Sequence, residues 1–369
     1  MAMAQTEAVQ QQAIPMKANA DAGSVRLRPW RDATRLAFAP VLFHAVCLAR
    51  DKGMIRAVEK AGREGTTAQD LAPQLGLSVY AATVLLDGCA AAGVFNEADA
   101  RYRLTRTGWL VEHEPMTRAN MDFSRDVCDR AMAHLEEAIR TGQPAGLKEL
   151  VDAPTVYEGL TRLPARALES WLNFDHYYSD LVFDPALELV AKKQPRKLLD
   201  VGGNTGKFAL KAAKHSEVTI LDHPGQIALA LENAQKARLE QRVSGAAMNL
   251  LDHTRPFPTG FDAVWMSQFL CCFGLADVEQ LLRRARAALA PGGRIWVNET
   301  FIDRQPNDVA RDAVMATSLY FTAVANGQSC MYRLTDFLPI FDRLGLRVAA
   351  EHELPPYHTL VELEAIARS

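Results

Sequence analysis

Apolar runs alternate with helical segments in the second half of the chain. The segments "RKLLDVGG" (196–203), "EVTILD" (217–222), "FDAVWMSQF" (261–269) and "RIWVNETFI" (294–302) predict strands. Between them, "KFALKAAKH", "IALALENAQKARL" and "ADVEQLLRRARAALAPGG" show helical spacing, and the last should end at its Pro-Gly-Gly. Buried strands that alternate with helices predict a parallel sheet covered on both faces. The fold class of this half is therefore α/β, with a doubly wound sheet.

The first half follows a different pattern, which is almost entirely helical. Residues 40–62 carry apolar side chains at helical spacing and close at a glycine. Residues 65–111 then predict a short helix, a turn at Gly76, a second helix that starts at Ser78, and two short strands in "GVFNEADARYRLT". This order is typical of a winged helix, which serves either DNA binding or a scaffold and dimerisation role.

The second helix of this pattern separates the two interpretations. The stretch "SVYAATVLLDGCAAAG" (78–93) contains no lysine or arginine. A recognition helix needs basic or amide groups to reach phosphates and base edges. The composition therefore favours a dimerisation module, and a transcriptional regulator that senses a metabolite is the less favoured alternative.

We predict three segments along the 369 residues. Residues 1–24 are rich in Ala and Gln without a continuous apolar core, which indicates a disordered leader rather than a signal peptide. Residues 25–169 form the helical, winged-helix-like domain. Residues 170–369 form the α/β domain, which begins with a connecting helix over 170–190.

Composition excludes several classes of protein. The net charge of −3 and a pI near 6.3 argue against a nucleic-acid partner and give no reason to invoke a membrane surface. Apolar runs do not approach the roughly 20 residues that a membrane helix needs. The six cysteines are scattered without a CxxC pair, so we predict no metal site and no disulfide framework. Free thiols in a reducing cytoplasm are the simplest interpretation.

Candidate chemistry begins at "LLDVGGNTGKFAL" (198–210), where the first strand meets a glycine cluster. Asp200 ends the strand, and Gly202, Gly203 and Gly206 almost match the G-x-G-x-x-G pattern of nucleotide-binding loops. The loop alone also fits a dinucleotide whose pyrophosphate lies at the helix N-terminus, as in a nicotinamide oxidoreductase.

Polar residues at later strand ends favour an adenosyl ligand. Asp222 ends the second strand about twenty residues beyond the loop, where an acid accepts hydrogen bonds from ribose hydroxyls. Asn249 stands among apolar neighbours in "AAMNLLD", where an amide pairs with the adenine edge while Leu250 packs on the ring; a plain turn residue is the alternative. Ser267 and Gln268 end a later strand, and we expect one of them to contact the methionine part of the cofactor.

Asp200 adds a carboxylate suited to an ammonium group, for which a dehydrogenase has less use. The glycine segment, "TILDHPG", "FDAVWMSQFL" and "ALAPGGRIWVNETFI" resemble the S-adenosylmethionine-dependent O-methyltransferases of the plant caffeate and bacterial polyketide type. The resemblance covers nearly the whole chain from about residue 30. It implies a class I methyltransferase domain with a Rossmann-like sheet, and S-adenosyl-L-methionine as the cofactor. It also implies an N-terminal half that forms an intertwined homodimer and helps to wall the substrate pocket.

The sequence departs from this family at the general base. Cys271 occupies the place of the family's histidine, and Cys272 stands where an aspartate follows it. A thiol near its reference pKa of about 8.5 is a poorer proton acceptor than imidazole, and a small packing residue is the alternative role. Glu299 matches the family glutamate that orients the histidine, whereas Met331 or Tyr332 replaces a second family acid.

A polar and aromatic cluster precedes the glycine loop in "NFDHYYSD" (173–180). The resemblance implies that this helix faces the cofactor and the substrate. We predict that His176 or Tyr177 contacts the substrate and that Tyr178 binds the cofactor carboxylate; aromatics packed beneath a helix surface are the alternative. His176 and Glu299 are the candidates to remove a proton.

Together these features predict a cytoplasmic, homodimeric methyltransferase that acts on a small phenolic or aromatic secondary metabolite. Oxygen is the favoured acceptor atom. Because a sulfonium makes its methyl group electrophilic and positioning supplies much of the acceleration, a strong base is not essential. Methylation of carbon or nitrogen on an aromatic ring is therefore the alternative.

Overall fold

The computed structural model describes residues 22–366, with side chains from residue 27. The chain divides into two compact units, of which one ends at Met121 and the other begins at Asp122. We had placed this boundary after residue 169. Residues 122–169 group with the sheet instead, because they share a hydrophobic cluster with residues 320–325. Of the predicted leader, residues 1–21 lie outside the described residues, and a helix begins at Ala22.

The first unit is mainly helical and carries one small hairpin. Its helices are α1 (Ala22–Ala37), α2 (Ala39–Asp51), α3 (Met54–Lys60), α4 (Ala68–Leu75), α5 (Val79–Ala92), α6 (Arg106–His113) and α7 (Pro115–Phe123), and its antiparallel strands are β1 (Phe95–Ala98) and β2 (Arg101–Leu104). Ser78 caps α5 by accepting a hydrogen bond from the Ala81 N–H at 3.1 Å. The predicted order of helix, turn, helix and hairpin is therefore present.

The second unit is built around a seven-stranded sheet. Its helices are α8 (Leu135–Thr141), α9 (Val156–Gly159), α10 (Ala165–Ala191), α11 (Lys207–Ala212), α12 (Pro224–Lys236), α13 (Leu275–Ala288), α14 (Asp308–Tyr320) and α15 (Leu334–Arg343). Its strands are β3 (Lys197–Val201), β4 (Glu217–Asp222), β5 (Val243–Ala247), β6 (Phe261–Ser267), β7 (Leu289–Glu299), β8 (Leu346–Leu354) and β9 (His358–Ala365).

The strand order is β5-β4-β3-β6-β7-β9-β8. The strands from β5 to β7 run parallel, whereas β9 is antiparallel to both of its neighbours. The chain builds outward from β3 to β5 and then returns to place β6 on the other side of β3. In a doubly wound sheet, ligands bind beyond the carboxyl ends of the strands at such a switch point. The predicted α/β class is confirmed.

Both faces of the sheet are buried, which explains the unbroken apolar runs in its central strands. One hydrophobic cluster lies between the sheet and α10, α11 and α12, where Phe208 stacks on Trp265 with ring centroids 4.1 Å apart. The other lies between the sheet and α13 and α15. The carboxyl edge of the sheet is thereby held rigidly from both sides.

Strand β7 starts earlier than the sequence predicts. The preceding helix ends at Ala288 rather than at the Pro-Gly-Gly, and the strand takes in residues 289–293. Three strands were also not singled out by their pattern. β5 (VSGAA) is small and weakly apolar, and β8 and β9 carry charged residues between apolar ones.

Among residues 22–366, no single helix is long and apolar enough to cross a membrane. Two bent helix pairs, Leu27–Ala37 with α2 and α4 with α5, pass the same test of length and composition.

Candidate active site

A cavity opens at the carboxyl edge of the sheet, and all of its walls belong to the second unit. One part of its lining is the turn between β3 and α11, which includes Gly202 and Gly203. Gly202 has φ +75°, and a Cβ atom there would lie 2.4 Å from the ring of Phe269. A Cβ at Gly203 would lie 2.7 Å from Asp200 Oδ2. The glycines therefore keep this turn bare, while Gly206, at φ +80°, starts α11.

Asp200 lies at the end of β3 with its carboxyl group buried. It is 2% exposed and lines the cavity, and within residues 27–366 its Oδ2 has no hydrogen-bond partner. Burial, reinforced by the nearby carboxylate of Asp222, raises the pKa of Asp200 to about 8. The site thus holds a buried acid that a cationic ligand would ionise.

Asp222 occupies the equivalent position at the end of the neighbouring strand β4. Its Oδ2 accepts the Asn204 N–H at 2.8 Å, and its Oδ1 accepts the His223 N–H at 2.7 Å. Burial raises its pKa in spite of these two hydrogen bonds. Each oxygen keeps a further lone pair, so the carboxylate both anchors the glycine turn and can still accept a hydroxyl.

Asn249, Leu250, Ser267 and Gln268 also line the cavity. The Asn249 Oδ1 accepts the Leu251 N–H at 3.0 Å, so its oxygen forms a local turn while its amide nitrogen faces elsewhere. Ser267 Oγ accepts a hydrogen bond from the Asn298 side chain at 2.8 Å. Among the described residues, Gln268 Nε2 is buried without a partner, and the residue has φ +45°.

Glu299 does not line the cavity, which corrects the catalytic position that we expected for it. It is 3% exposed, and its Oε1 accepts the backbone N–H groups of Phe269 at 3.0 Å, Leu270 at 2.8 Å and Cys271 at 3.4 Å. Burial raises its pKa to about 7. Through these hydrogen bonds Glu299 holds the loop after β6 in place. Residues of this loop line the cavity.

The loop presents two thiols to the cavity, Cys271 and Cys272. The Cys272 Sγ donates to the carbonyl oxygen of Gln268 at 3.6 Å. A hydrogen bond between Cys271 and Cys272, together with burial, raises the pKa of the Cys271 thiol well above its usual value. Cys271 is therefore protonated at neutral pH and cannot replace an imidazole base.

Helix α10 supplies a further wall, through residues at helical spacing that include Trp171, Phe174, Asp175 and Ser179. His176 also reaches the cavity, with its Nδ1 3.4 Å from Asp180 Oδ1. Burial and the nearby Lys207 lower the pKa of His176, against the opposing effect of Asp180. The imidazole is thus neutral at pH 7 and able to accept a proton.

Tyr177 and Tyr178 lie outside the described cavity walls, unlike the positions that we expected. Tyr177 is two residues beyond Asp175, about 200° around the helix. The Tyr178 ring lies 5.0 Å from the Phe174 ring and 5.6 Å from the Tyr357 ring, measured between centroids. The phase of α10 therefore turns Tyr177 away from the cavity, whereas Tyr178 lies on the side of Phe174, next to the described walls.

The sequence pattern did not reveal that several aromatic rings meet in one part of the cavity. Phe123 stacks on Phe174 with centroids 4.0 Å apart and meets Tyr320 edge-on at 4.8 Å. Trp171 Nε1 donates to the Tyr320 hydroxyl at 2.7 Å. These rings come from three separate segments of the second unit and form an apolar slot suited to a planar ring.

Comparisons with known proteins agree with this geometry. A methyltransferase-domain family model matches residues 199–295, and a Dimerisation2-like domain matches residues 30–102. L-tyrosine C(3)-methyltransferase of Streptomyces lavendulae is 27% identical over 71% of this chain and 72% of its own length. 3-Hydroxy-5-methyl-1-naphthoate 3-O-methyltransferase of Streptomyces sahachiroi is 26% identical over 68% and 72%. The S-adenosylmethionine-dependent methyltransferase SibL shares 25% identity and a TM-score of 0.68 over 90% of this chain and 98% of its own.

The chain therefore carries a Dimerisation2-like domain followed by a methyltransferase domain, and its homologues are S-adenosylmethionine-dependent methyltransferases. The chain's own residues fit the cofactor. A turn that admits no Cβ approaches the sheet edge, and the Asp200 Oδ2, which has no hydrogen-bond partner among the described residues, is suited to an ammonium group. The predicted family, enzyme class and cofactor are confirmed.

The buried acid at the end of β3 gives the first prediction. Because the pKa of Asp200 is raised in the folded protein, burying its charge costs stability that grows as pH rises from 4 toward 8. Asp200→Asn should stabilise the cofactor-free protein by about 2 kcal/mol at pH 8 and hardly at all at pH 4. It should also reduce the rise in Tm that S-adenosylmethionine causes.

Asp184→Asn is the matched control, since Asp184 is an exposed residue of α10 paired with Lys211 at 2.6 Å. We expect it to change stability by less than about 0.5 kcal/mol at either pH. Equal Tm values for Asp200→Asn and the wild-type protein at pH 8 would show that Asp200 carries no burial cost.

Proposed function

We propose that this methyltransferase transfers a methyl group from S-adenosylmethionine to a hydroxyl oxygen of a small phenolic acceptor. The observation that supports this most strongly is the division of a single cavity. Asp200, Asp222 and the glycine turn line one part, and stacked aromatic rings line another. The acceptor loses a proton and gains the methyl group on the same oxygen, and S-adenosylhomocysteine is released.

The cofactor supplies an electrophilic methyl group on a sulfonium. Five cavity residues have a proposed role in binding it. Asp222 accepts the ribose hydroxyls, and Asp200 binds the ammonium group. Asn249 donates its free amide N–H groups to the adenine edge while Leu250 packs on the ring. Gln268 donates its unpartnered Nε2–H to the methionine carboxylate, a role that we had given to Tyr178.

Positioning of the acceptor supplies most of the acceleration in this proposal. The aromatic slot orients the ring, and the cavity walls exclude water. His176, neutral at pH 7, accepts the phenolic proton. Glu299 acts indirectly, because it fixes the backbone that carries Cys271.

Carbon methylation is the second candidate, favoured by the protonated thiol of Cys271 where the family places its base. One relative is named as a tyrosine C(3)-methyltransferase. A phenol deuterated at its ring positions distinguishes the two reactions by mass spectrometry. Transfer to oxygen retains every deuterium, whereas transfer to a ring carbon loses one.

A homodimer through the first unit completes the proposal, with a winged-helix-like module that serves dimerisation and not DNA binding. Large apolar side chains are exposed on α1, α2 and α5 and at the α1–α2 junction: Trp30, Leu36, Phe38, Val41, Leu48, Val79, Tyr80 and Val84. Such a surface marks an interface with another chain. We further propose a role in secondary metabolism and a cytoplasmic location. Detection of the methylated product in cells that make the protein would test the first, and fractionation of those cells would test the second.

The cofactor assignment predicts the effect of Asp222→Ala. The variant loses the ribose acceptor and frees the N–H groups of Asn204 and His223, so affinity for S-adenosylhomocysteine should fall by at least about 100-fold. Isothermal titration calorimetry measures the change. Asp252→Ala, at a residue outside the cavity lining whose Oδ1 accepts the Thr254 hydroxyl, should bind normally. An unchanged Kd for Asp222→Ala would refute the ribose role.

The assignment of the base predicts opposite results for two cavity residues. Cys271→Ala should keep most of the activity, because the thiol stays protonated. His176→Gln should lower kcat by at least about tenfold at pH 7 and less at pH 9, where phenols ionise without help. Steady-state kinetics over this pH range test the pair. A large loss with Cys271→Ala and none with His176→Gln would reverse the assignment.

The interface predicts the effect of a charge on α2. Val41→Asp places a carboxylate on the exposed apolar face and should convert the dimer to a monomer in light scattering after size-exclusion chromatography. Val309→Asp, equally exposed on α14, should leave a dimer. A dimeric Val41→Asp protein or a monomeric wild-type protein would contradict the proposed interface.

A further inference from the structure

The charged residues in the cavity walls are unbalanced. The described lining contains four carboxyl groups, from Glu158, Asp175, Asp200 and Asp222, but Lys207 as its one lysine and no arginine. Lys207 is itself bound to Asp180 with an Nζ–Oδ2 distance of 2.7 Å. The cofactor roles proposed above use Asp200 and Asp222. Two carboxyl groups are therefore left for the acceptor.

Asp175 is the more deeply placed of these two groups. Its side chain is 30% exposed and lines the cavity, directly after Phe174 on α10. Phe174 and Tyr320 line the same cavity, which places Asp175 beside the aromatic slot. The His176 Nδ1 lies 3.9 Å from the Asp175 Oδ2, too far for a hydrogen bond.

Resting on the proposed function, we propose that Asp175 binds an ammonium group on the acceptor, so that the substrates are cationic phenols such as phenolic amines and amino acids. A carboxylate beside aromatic rings is a favourable site for an ammonium ion, because the ring faces and the carboxylate both attract it. The same negative cavity disfavours phenols that carry a carboxylate alone. Asp175 is thereby a specificity-determining residue.

The protonation of Asp175 agrees with this assignment. Burial and the neighbouring Asp180 raise its pKa to about 7, while Lys207 opposes the shift. Asp180 and His176 on α10, Lys207 on α11 and Tyr320 on α14 are the titratable groups that face it. A bound ammonium would favour the ionised carboxylate, so affinity for a cationic acceptor should fall as pH drops below 7.

Three acceptors of similar shape test the proposal by calorimetry on protein saturated with S-adenosylhomocysteine at pH 8. They are tyramine, which is cationic, 4-propylphenol, which is neutral, and 3-(4-hydroxyphenyl)propanoate, which is anionic. Tyramine should bind at least about tenfold more tightly than 4-propylphenol, and the anionic acceptor most weakly. Equal affinity for tyramine and 4-propylphenol would overturn the proposal.

Variants locate the effect on Asp175. Asp175→Asn should abolish the preference for tyramine while leaving the Kd of 4-propylphenol within about twofold, and Asp175→Glu should restore part of it. Asp184→Asn, further along α10 and paired with Lys211, should keep the preference. An equal loss of affinity for both phenols in Asp175→Asn would indicate a role in shaping the slot and overturn the assignment.

The same experiments distinguish a failure of the ammonium site from a failure of the proposed function. If wild-type protein binds S-adenosylhomocysteine and methylates neutral phenols without preferring tyramine, the ammonium site is wrong and the methyltransferase assignment holds. If it methylates none of the three acceptors, the phenol assignment fails. Tyramine selectivity that persists in binding would then still support the ammonium site.

Discussion

Two buried carboxyl groups at the ends of adjacent parallel strands are the constraint from which the site follows. Asp200 and Asp222 lie where β3 and β4 end, and burial raises the pKa of both. Removing acids from water is unfavourable unless hydrogen bonds or cations compensate. Backbone N–H groups compensate Asp222, which ties the glycine turn to the neighbouring strand. In the proposed function the ligand compensates Asp200, which would couple cofactor binding to local stability.

A third buried acid organises the opposite wall. Glu299 at the end of β7 accepts three successive N–H groups of the loop after β6, and hydrogen bonds to a carboxylate are stronger than those between neutral groups. Family resemblance assigned it to orient a histidine, yet this chain has Cys271 there. The carboxylate retains a purpose without the histidine, because the loop needs its acceptor. A residue can therefore survive in a motif for its structural role after the chemistry around it has changed.

Local patterns predicted the parts of the site that are local. The ends of β3, β4 and β6 were recognisable because polar residues end a buried apolar run in each of them, and a glycine turn follows β3. The aromatic slot was not, since Phe123, Phe174 and Tyr320 meet only after the chain has folded. The sequence also did not reveal which side of α10 faces the cavity. The rotation of the helix about its axis decides whether Asp175 or Tyr177 does so. The unpredicted strands β8 and β9 both carry charged residues among apolar ones. β8 lies at the edge of the sheet with alternate residues exposed, whereas β9 lies inside it and is buried from His358 to Leu363.

Proton release on cofactor binding tests the central claim most directly. Calorimetric titration with S-adenosylhomocysteine at pH 7, repeated in buffers of different ionisation enthalpy, measures the number of protons released. If the ammonium group ionises a protonated Asp200, the wild-type protein should release about one proton more than Asp200→Asn. Tight binding with the same proton count in both proteins would show that the buried acid at the end of β3 does not meet the cofactor's charge.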